Sequence, residues 1–227
     1  KVNNTNYRYD TNFTRLPSEL VKHLQINGIP FVELDIVNSQ PFFSSGLFNP
    51  TIEIQKLMSP SLLMFTKRMQ LSDKDDVKEY ISLVTSGSYY DFLMILFKEN
   101  GLSFTDRHDF KKKLFTVYFG ENRAAAYSTA VKLFETIFPN VWFFFKEIKK
   151  PHNNQLAILL QRMESHTMLN CVATSIITEF PNVPFLTKHD SILVPANLTE
   201  DVNLSIQRLI EDTVEMVIGF RPKLKVK

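Results

Sequence analysis

Cysteine is almost absent from this sequence: Cys171 is the only one among 227 residues. A single cysteine excludes an internal disulfide framework and is typical of proteins kept in a reducing compartment, so we expect a cytoplasmic location. The flanking residues, Leu169-Asn170 and Val172-Ala173, are mostly small or apolar. They favour a buried structural cysteine over a nucleophile.

Long apolar runs and a strong net charge are also lacking. The apolar stretches are too short, and too often interrupted by charge, to form a signal peptide or a membrane-spanning helix, so we expect no membrane association. The net charge of only +2 excludes a basic field over the whole molecule. Basic residues nevertheless cluster at 107–113, 146–150 and 221–227, and local patches of this kind are typical of phosphate and nucleic-acid binding. The sequence begins at Lys1 rather than at methionine, and we expect an upstream domain, or a separate helicase or primase, outside it.

Phenylalanine is abundant, with 20 residues, and indicates a thick aromatic core or stacking surfaces. Few predicted strands lie among many predicted helices, with long connections, which indicates an α+β fold around a small antiparallel sheet. Hydrophobic periodicity, caps and breaker residues predict strands at 29–37, 183–188 and 192–195, helices at 73–84, 89–98, 107–119, 122–137, 141–150, 151–178 and 197–219, and a basic strand or tail after 219.

Local details of this prediction concern helix starts and one irregular stretch. Ser72 is predicted to cap the helix at 73–84. Ser103 to Asp106 have the spacing of a capping box for the helix at 107–119. Residues 44–60 contain glycine and prolines and are predicted to be irregular.

The helix at 107–119 carries the strongest functional signal. Arg107, Lys111, Phe115 and Phe119 recur at intervals of four, and the helix stops at Gly120. This spacing puts the four side chains on one edge of the helix. Two cations followed by two rings can bind a triphosphate and then stack on a base. The alternatives are a solvated face for the cations and core positions for the rings.

Asp35 and Asp190 are the candidate metal ligands. Asp35 ends an otherwise apolar strand, and Asp190 lies in the turn between two short strands. Two carboxylates at one edge of a sheet repel each other unless cations lie between them, and Mg²⁺ prefers one or two carboxylates together with phosphate oxygens and water. The pair therefore suits two-metal phosphoryl or nucleotidyl transfer. For Asp35 alone, the alternative is an aspartate that caps the following helix.

Taken in order, these motifs resemble the palm and fingers of the family A DNA polymerases and, more distantly, the phage-type single-subunit RNA polymerases. The resemblance spans roughly residues 8–196, and its helix motif is the specific one. The three motifs are Asp35-Ile-Val-Asn38-Ser-Gln40, similar to the family's strand-end aspartate motif; Arg107-x3-Lys111-x3-Phe115-x3-Phe119-Gly120, similar to its fingers-helix signature; and Lys188-His189-Asp190-Ser191, similar to its His-Asp-Glu turn.

The resemblance implies a polymerase site and a role for each residue. Two Mg²⁺ ions, for which Mn²⁺ can substitute, would be held by Asp35, Asp190 and the main-chain carbonyl of Ile36. Arg107 and Lys111 would bind the triphosphate, and Lys111 would also donate a proton to the leaving pyrophosphate. The remaining implied roles are Phe115 beside the incoming sugar, Phe119 at the base, Gln40 at the nucleotide, His189 near the primer end, and Gln161 and Arg8 at the primer and template.

The same resemblance implies three parts of the chain. Residues 1–72 would form an N-terminal palm part with the first metal aspartate, and residues 73–150 a helical, fingers-like portion. Residues 151–227 would form a C-terminal palm part with the His-Asp hairpin.

Three departures from the family pattern leave the sugar preference open. Gln40 stands where the DNA polymerases have a glutamate that excludes a ribose 2′-OH, Phe119 replaces a tyrosine, and Ser191 replaces the last acid of the turn. The expected function is that of a minimal DNA polymerase that extends a primer, in replication of a phage, plasmid or other mobile element. Its partners would be nucleoside triphosphates and primer-template DNA. The alternatives are a primer-making or RNA-synthesising relative, and a non-catalytic, palm-like module that binds nucleic acid.

Overall fold

Helices make up most of the computed structural model, which describes residues 2–227 apart from the side chains of Ser18 and Ala125. Short strands form one antiparallel sheet, so the predicted α+β class is confirmed. The strands are β1 (Gln25–Ile26), β2 (Ile29–Ile36), β3 (Leu186–Lys188), β4 (Ser191–Pro195) and β5 (Leu224–Val226). The helices are α1 (Ser18–Val21), α2 (Ser39–Ser45), α3 (Ile52–Gln55), α4 (Pro60–Met69), α5 (Asp75–Ser86), α6 (Tyr89–Glu99), α7 (Arg107–Phe119), α8 (Thr129–Ile137), α9 (Pro139–Lys149), α10 (Gln155–Ser165), α11 (Ala173–Glu179) and α12 (Glu200–Ile218).

β2 is the central strand of the sheet. The strand order is β1-β2-β4-β3, and β5 also pairs with β2. β4 pairs along β2 from Phe31 to Asp35, whereas β5 pairs from Leu34 to Ile36. The end of β2 therefore has a neighbour on each edge, and segments from opposite halves of the sequence meet at Asp35.

The alternation of side chains along β2 separates a core face from a polar face. Leu34 and Ile36 are 1% and 2% exposed and pack in the core with Val194 of β4. Because successive side chains of a strand point to opposite faces, Glu33 and Asp35 lie on the other face. The candidate site is built on that second face.

Aromatic side chains form much of the core around the helices, as the phenylalanine content predicts. Three buried tyrosines also share hydrogen bonds: the hydroxyl of Tyr118 lies 2.9 Å from that of Tyr80 and 2.6 Å from that of Tyr89. These contacts join α5, α6 and α7. They fix the buried side of the helix whose other side carries Arg107 and Lys111.

The cap predicted for α7 is wrong by three residues. Asp106 occupies the N-cap position, and its carboxylate accepts a hydrogen bond of 2.8 Å from the N–H of Asp109. The Asp109 carboxylate in turn accepts one of 3.0 Å from the N–H of Thr105. A reciprocal cap is therefore present, but it starts at Asp106 rather than at Ser103.

Two other local predictions are corrected. Ser72 does not cap α5, because it lies in a 3-10 turn (Leu71–Asp73) and the helix begins at Asp75. The stretch 44–60 is not irregular throughout, because it contains the end of α2 and all of α3.

Two of the predicted helices are interrupted. The helix at 151–178 begins only at Gln155 and includes a π-helical segment, His166–Val172, between α10 and α11. The helix at 122–137 starts as a 3-10 turn and becomes α-helical at Thr129.

The strands of the sheet come from residues 25–36 and 186–226, and the helices α2 to α11 lie between these two segments in sequence. The division into parts at 72 and 150 stays a prediction. Within residues 2–227, no helix has both the length and the apolar character needed to cross a bilayer.

Candidate active site

Asp35 and Asp190 are brought to one place by the pairing of β2 with β4. Asp35 lies opposite Ser191, and the N–H of Ile36 donates a hydrogen bond of 3.2 Å to the carbonyl of Asp190. Burial raises the pKa of Asp35, and the charge of Asp190 raises it further. Burial also raises the pKa of Asp190. Both acids are largely removed from water, and they repel each other. A cation between them is therefore favoured.

A two-residue turn positions Asp190. Lys188 and Ser191 pair at the end of the β3–β4 hairpin, which leaves His189 and Asp190 as its turn. His189 has a φ of 51°, in the left-handed region that tight hairpins favour at their turn residues. The hydroxyl of Ser191 donates a hydrogen bond of 3.0 Å to the carbonyl of Lys188 and closes the turn.

Asp35 does not cap the helix that follows it, so that interpretation is wrong. Asn38 occupies the N-cap position of α2, with a φ of 58° and no side-chain cap bond. Asp35 instead forms an ion pair with Lys227, whose Nζ lies 2.7 Å from its Oδ2. The sequence analysis did not single out Lys227, although it predicted a basic strand or tail that contains it.

Lys111 lies close enough to Asp35 for their charges to interact, and Arg107 lies one helical turn away on the same edge of α7. Burial lowers the pKa of Lys111, the charge of Arg107 lowers it further, and the charge of Asp35 acts in the opposite direction. The Lys111 Nζ is 4.5 Å from the centroid of the Tyr90 ring, and Arg107 lies over the same ring and pairs with Asp91. Burial raises the pKa of Tyr90, and the charge of Asp190 adds to that effect. The charges of Asp190 and Arg107 therefore both act on the Tyr90 hydroxyl, and the ammonium of Lys111 lies over the Tyr90 ring.

The two phenylalanines of the α7 motif are not core residues. Phe115 and Phe119 are 37% and 38% exposed, and their rings meet edge to face with centroids 5.6 Å apart. The opposite side of the helix is buried through Phe110 and Tyr118. Four-residue spacing thus places two cations and two exposed rings along one edge, as predicted from the sequence. Base stacking on these rings stays a prediction.

The C-terminal end of α7 is held by a buried lysine. The Nζ of Lys149 donates hydrogen bonds of 2.6 Å to the carbonyl of Val117 and 3.2 Å to that of Gly120, and it lies 4.8 Å from the Trp142 ring centroid. Burial lowers the pKa of Lys149 to about 8. Gly120 leaves no space for a side chain, because a Cβ there would lie 2.4 Å from the carbonyl oxygen of Thr116. This close approach to Thr116 accounts for a glycine at the position that ends the motif.

Glu164 is the functional candidate that the sequence analysis missed. It is 1% exposed and pairs with Arg8, whose Nη2 lies 2.8 Å away. The Nε2 of Gln40 donates a hydrogen bond of 2.6 Å to the other carboxylate oxygen, and the buried Oε1 of Gln40 has no hydrogen-bond partner among the described residues. Burial raises the pKa of Glu164 to about 7, and the charge of Asp190 contributes to the rise. In the sequence, Glu164 is an ordinary acid within a predicted helix. Only the structure shows that Arg8 and Gln40 face it.

Two of the three predicted primer and template residues, His189 and Arg8, lie close to Asp190, and the third, Gln161, contacts the segment that contains Arg8. The charge of Arg8 lowers the pKa of His189, after the larger effect of burial, and it lowers that of Asp190 as well. Gln161 accepts a hydrogen bond of 2.9 Å from the Nδ2 of Asn6, two residues from Arg8. The segment around Asn6 and Arg8 therefore lies along the polar side of α10.

Cys171 has the environment of a structural residue. It is half-buried and packs against the core, and burial raises the pKa of its thiol. Its Sγ lies 3.8 Å from the Nε2 of His166. A raised pKa disfavours the thiolate that a nucleophile requires.

The acid pair fits a divalent ion of the magnesium type. In the described part of the chain, no group of three or more His, Cys, Asp or Glu residues is arranged to hold a metal. Mg²⁺ does not need such a cage, because it binds through one or two carboxylates and completes its shell with water and phosphate oxygens. Asp35 and Asp190 would supply the carboxylates, and a divalent ion between them would relieve their repulsion.

Comparison of the sequence with protein-family models gives no match, and comparison with curated proteins gives none.

Proposed function

We propose that this protein is a template-directed nucleotidyltransferase, a DNA polymerase that extends a primer 3′-OH. The observation that carries the proposal is the meeting of Asp35, Asp190 and Lys111. Asp35 ends β2, and Asp190 lies in the turn that leads into the neighbouring strand β4. Burial raises the pKa of Asp35, the charge of Asp190 raises it further, and Lys111 of α7 lies close enough for the charge of Asp35 to act on its pKa. Acids for divalent ions beside cations for a triphosphate are what phosphoryl and nucleotidyl transfer require.

The first role, metal binding, belongs to the two acids and one main-chain carbonyl. Asp35 and Asp190, with the main-chain carbonyl of Ile36, would hold two Mg²⁺ ions. When bound, these ions supply positive charge to the attacking and leaving oxygens. The pairing of β2 with β4 keeps the carboxylates in place, so little reorganisation is needed when nucleotide arrives.

The exposed edge of α7 has a second role. Arg107 and Lys111 would bind the triphosphate, and their attachment to one rigid helix keeps the two charges at a fixed separation. Lys111 is the proton donor for the leaving pyrophosphate, because its lowered pKa makes loss of the proton easier. Phe115 would lie beside the sugar and Phe119 at the base.

The segment containing Arg8 and helix α10 have a third role. His189 would contact the primer end, and Gln161 and Arg8 the primer and template. His189 and Arg8 lie close to Asp190, Gln161 contacts Asn6 of the Arg8 segment, and each of the three makes hydrogen bonds or charge contacts. We assign the protein to DNA replication, with nucleoside triphosphates and primer-template DNA as its partners.

A second candidate is a relative that makes RNA or primers. The observation in its favour is the buried, unpartnered Oε1 of Gln40. Its amide is oriented by the bond from Nε2 to Glu164, so Oε1 is left as an acceptor for a hydroxyl group. An acceptor of this kind can bind a ribose 2′-OH, whereas a carboxylate at this position excludes it in the family that the sequence resembles.

The proposal is tested by extension of a labelled primer on a recessed DNA template with Mg²⁺, supplied with either dNTPs or NTPs. We expect template-length products, lost in Asp190→Asn and kept in Lys112→Ala, an exposed lysine of α7 outside the Arg107–Phe119 edge. The better substrate decides between the two candidates. Tight primer-template binding without any extension would contradict both and favour the non-catalytic module.

A further inference from the structure

β5 brings two lysines to the face that carries the acids. Lys225 lies opposite Asp35 in the antiparallel register. Directly opposite residues of an antiparallel pair share a face, and the next residue but one, Lys227, shares it too. Lys227 pairs with Glu33 through two main-chain hydrogen bonds, of 3.1 and 3.0 Å. The position of Lys227 is therefore set by the strand as well as by its side chain.

The ammonium of Lys227 lies on the carboxylate that a divalent ion would use. Its Nζ is 2.7 Å from the Oδ2 of Asp35 and 3.8 Å from the Oε1 of Glu33. Its charge also acts on Asp190 and on Lys111. In the absence of metal, Lys227 thus supplies the positive charge that the two acids lack.

We propose that Lys227 is a built-in counter-cation of Asp35, which a divalent ion has to displace before both acids can bind it. This inference rests on the proposed function, because it concerns the same acid pair. An ammonium and a divalent ion that both contact the same carboxylate oxygen repel each other strongly, so the ion binds more tightly once the ammonium has moved away.

Displacement is physically easy for this side chain. The Lys227 side chain is 42% exposed, whereas that of Asp35 is 20% exposed. A lysine has a flexible stem and a strongly hydrated head group, so the ammonium can move into water while β5 stays paired. The acids then remain compensated when no metal is bound, and they become available when metal concentration rises.

The test is a titration of the protein with Mn²⁺, with free Mn²⁺ measured by electron paramagnetic resonance and with no nucleotide or DNA present. Lys227→Met should bind Mn²⁺ about threefold to tenfold more tightly than the unchanged protein, as expected for loss of a partly exposed ion pair. Lys227→Arg keeps the charge and should bind as the unchanged protein does. The matched control is Lys225→Met, which removes the same charge from the same strand and should have less than half of the effect.

Two results would overturn the inference. Equal or weaker Mn²⁺ binding by Lys227→Met would mean that Lys227 does not compete with metal. An equal gain in Lys225→Met would mean that general charge, and not displacement from Asp35, sets the affinity. Thermal unfolding of each variant checks that it is folded, and Lys227→Gln serves as the second neutral variant.

Asp35→Asn and Asp190→Asn separate this inference from the proposed function. If both variants lose Mn²⁺ binding while Lys227→Met gains none, the metal site stands and only the role of Lys227 fails. If Mn²⁺ binding is unchanged in both, the acid pair is not a metal site, and the proposed function fails together with this inference.

Discussion

Glu164 illustrates how a single buried charge can organise one side of the site. It holds Arg8 through an ion pair and Gln40 through a hydrogen bond, at an exposure of 1%. A buried carboxylate requires partners, and removal of one partner costs more than the pair contributes. The orientation of the Gln40 amide therefore depends on Glu164 being charged or at least able to accept.

Exchange of the two side chains tests this dependence. Gln40→Glu would put a second carboxylate beside Glu164 and should lower the free energy of unfolding by about 1–3 kcal/mol, because two like charges at hydrogen-bond distance cannot both stay ionised without cost. The double change Gln40→Glu with Glu164→Gln restores one acid and one amide and should recover most of the loss. Urea unfolding of the four proteins of this cycle measures the coupling; strictly additive effects would show that the two residues do not interact.

Lys149 gives a pH dependence with a defined sign. Its pKa is lowered from 10.5 to about 8 in the folded state by burial, so the folded protein binds fewer protons than the unfolded chain above pH 8. The free energy of unfolding should therefore rise as the pH rises from about 7.5 to about 9, below the pH at which unfolded tyrosines ionise. In Lys149→Met this rise should be absent.

The measurement for Lys149 is urea unfolding between about pH 7.5 and 9. That range ends about one pH unit below the titration of tyrosine near pH 10, so the buried tyrosines stay largely protonated in both states. Lys150→Met, on the neighbouring exposed lysine, is the control and should keep the rise. The same pH dependence in Lys149→Met and in the unchanged protein would place its source elsewhere.

At the scale of secondary-structure elements, the two ends of α7 could be predicted from the sequence, whereas the residue that caps the helix could not. Its limits, Arg107–Phe119, follow from periodicity and from Gly120 and are confirmed. The cap was predicted three residues too early, because Ser103 and Asp106 are both good cap residues and the sequence does not say which one has extended backbone next to the helix. The π-helical segment between α10 and α11 has no periodicity signal of its own, so the run was predicted as one helix.

Gly120→Ala tests the close approach at the end of α7. The added Cβ would lie 2.4 Å from the carbonyl oxygen of Thr116 and 2.7 Å from its Cγ2, so the last turn of α7 has to shift. We expect a loss of about 1–3 kcal/mol in the free energy of unfolding, measured by urea denaturation. Lys112→Ala, at an exposed position of the same helix, should change it by less than about 0.5 kcal/mol; equal effects would mean that the end of α7 tolerates a side chain.

Tyr118→Phe tests the attachment of α7 to the helices behind it. Loss of its hydroxyl leaves the buried Tyr89 hydroxyl without the 2.6 Å partner that it has in the structure. A buried polar group without a partner costs about 1–3 kcal/mol, so the melting temperature should fall. Tyr127→Phe removes the same group from a ring that is 66% exposed and should leave the melting temperature unchanged. A similar fall in both variants would show that the buried network contributes nothing specific.

At the scale of the whole molecule, the fold joins acids and cations that are distant in sequence. The α+β class was predictable, because a few short strands are set among many helices with long connections between them. Asp35 and Asp190 were predicted as a pair; Asp35 lies at the end of β2, and Asp190 lies in the turn that leads into the neighbouring strand β4. The placement of Lys227 was not predictable, since a short basic strand gives no indication of which strand edge it will join, and β5 takes the free edge of β2.

Binding of nucleic acid should be sensitive to salt. With a net charge of only +2, attraction to phosphates has to come from local clusters of lysine and arginine. We expect the affinity for primer-template DNA to fall at least about tenfold between 50 and 200 mM salt, because several phosphate contacts release counterions. Fluorescence anisotropy with a labelled primer-template measures the fall. An affinity that does not depend on salt would exclude a phosphate-binding groove.

The most direct test of the whole account is addition of one nucleotide on four primer-templates that differ only in the first template base. Each of the four nucleotides is supplied separately with Mg²⁺, and the product is measured by gel electrophoresis. We predict that only the complementary nucleotide is added on each template and that Asp35→Asn, Asp190→Asn and Lys111→Ala each reduce the rate by at least about a hundredfold. Addition that ignores the template base, or that continues at the same rate in these variants, would contradict the account.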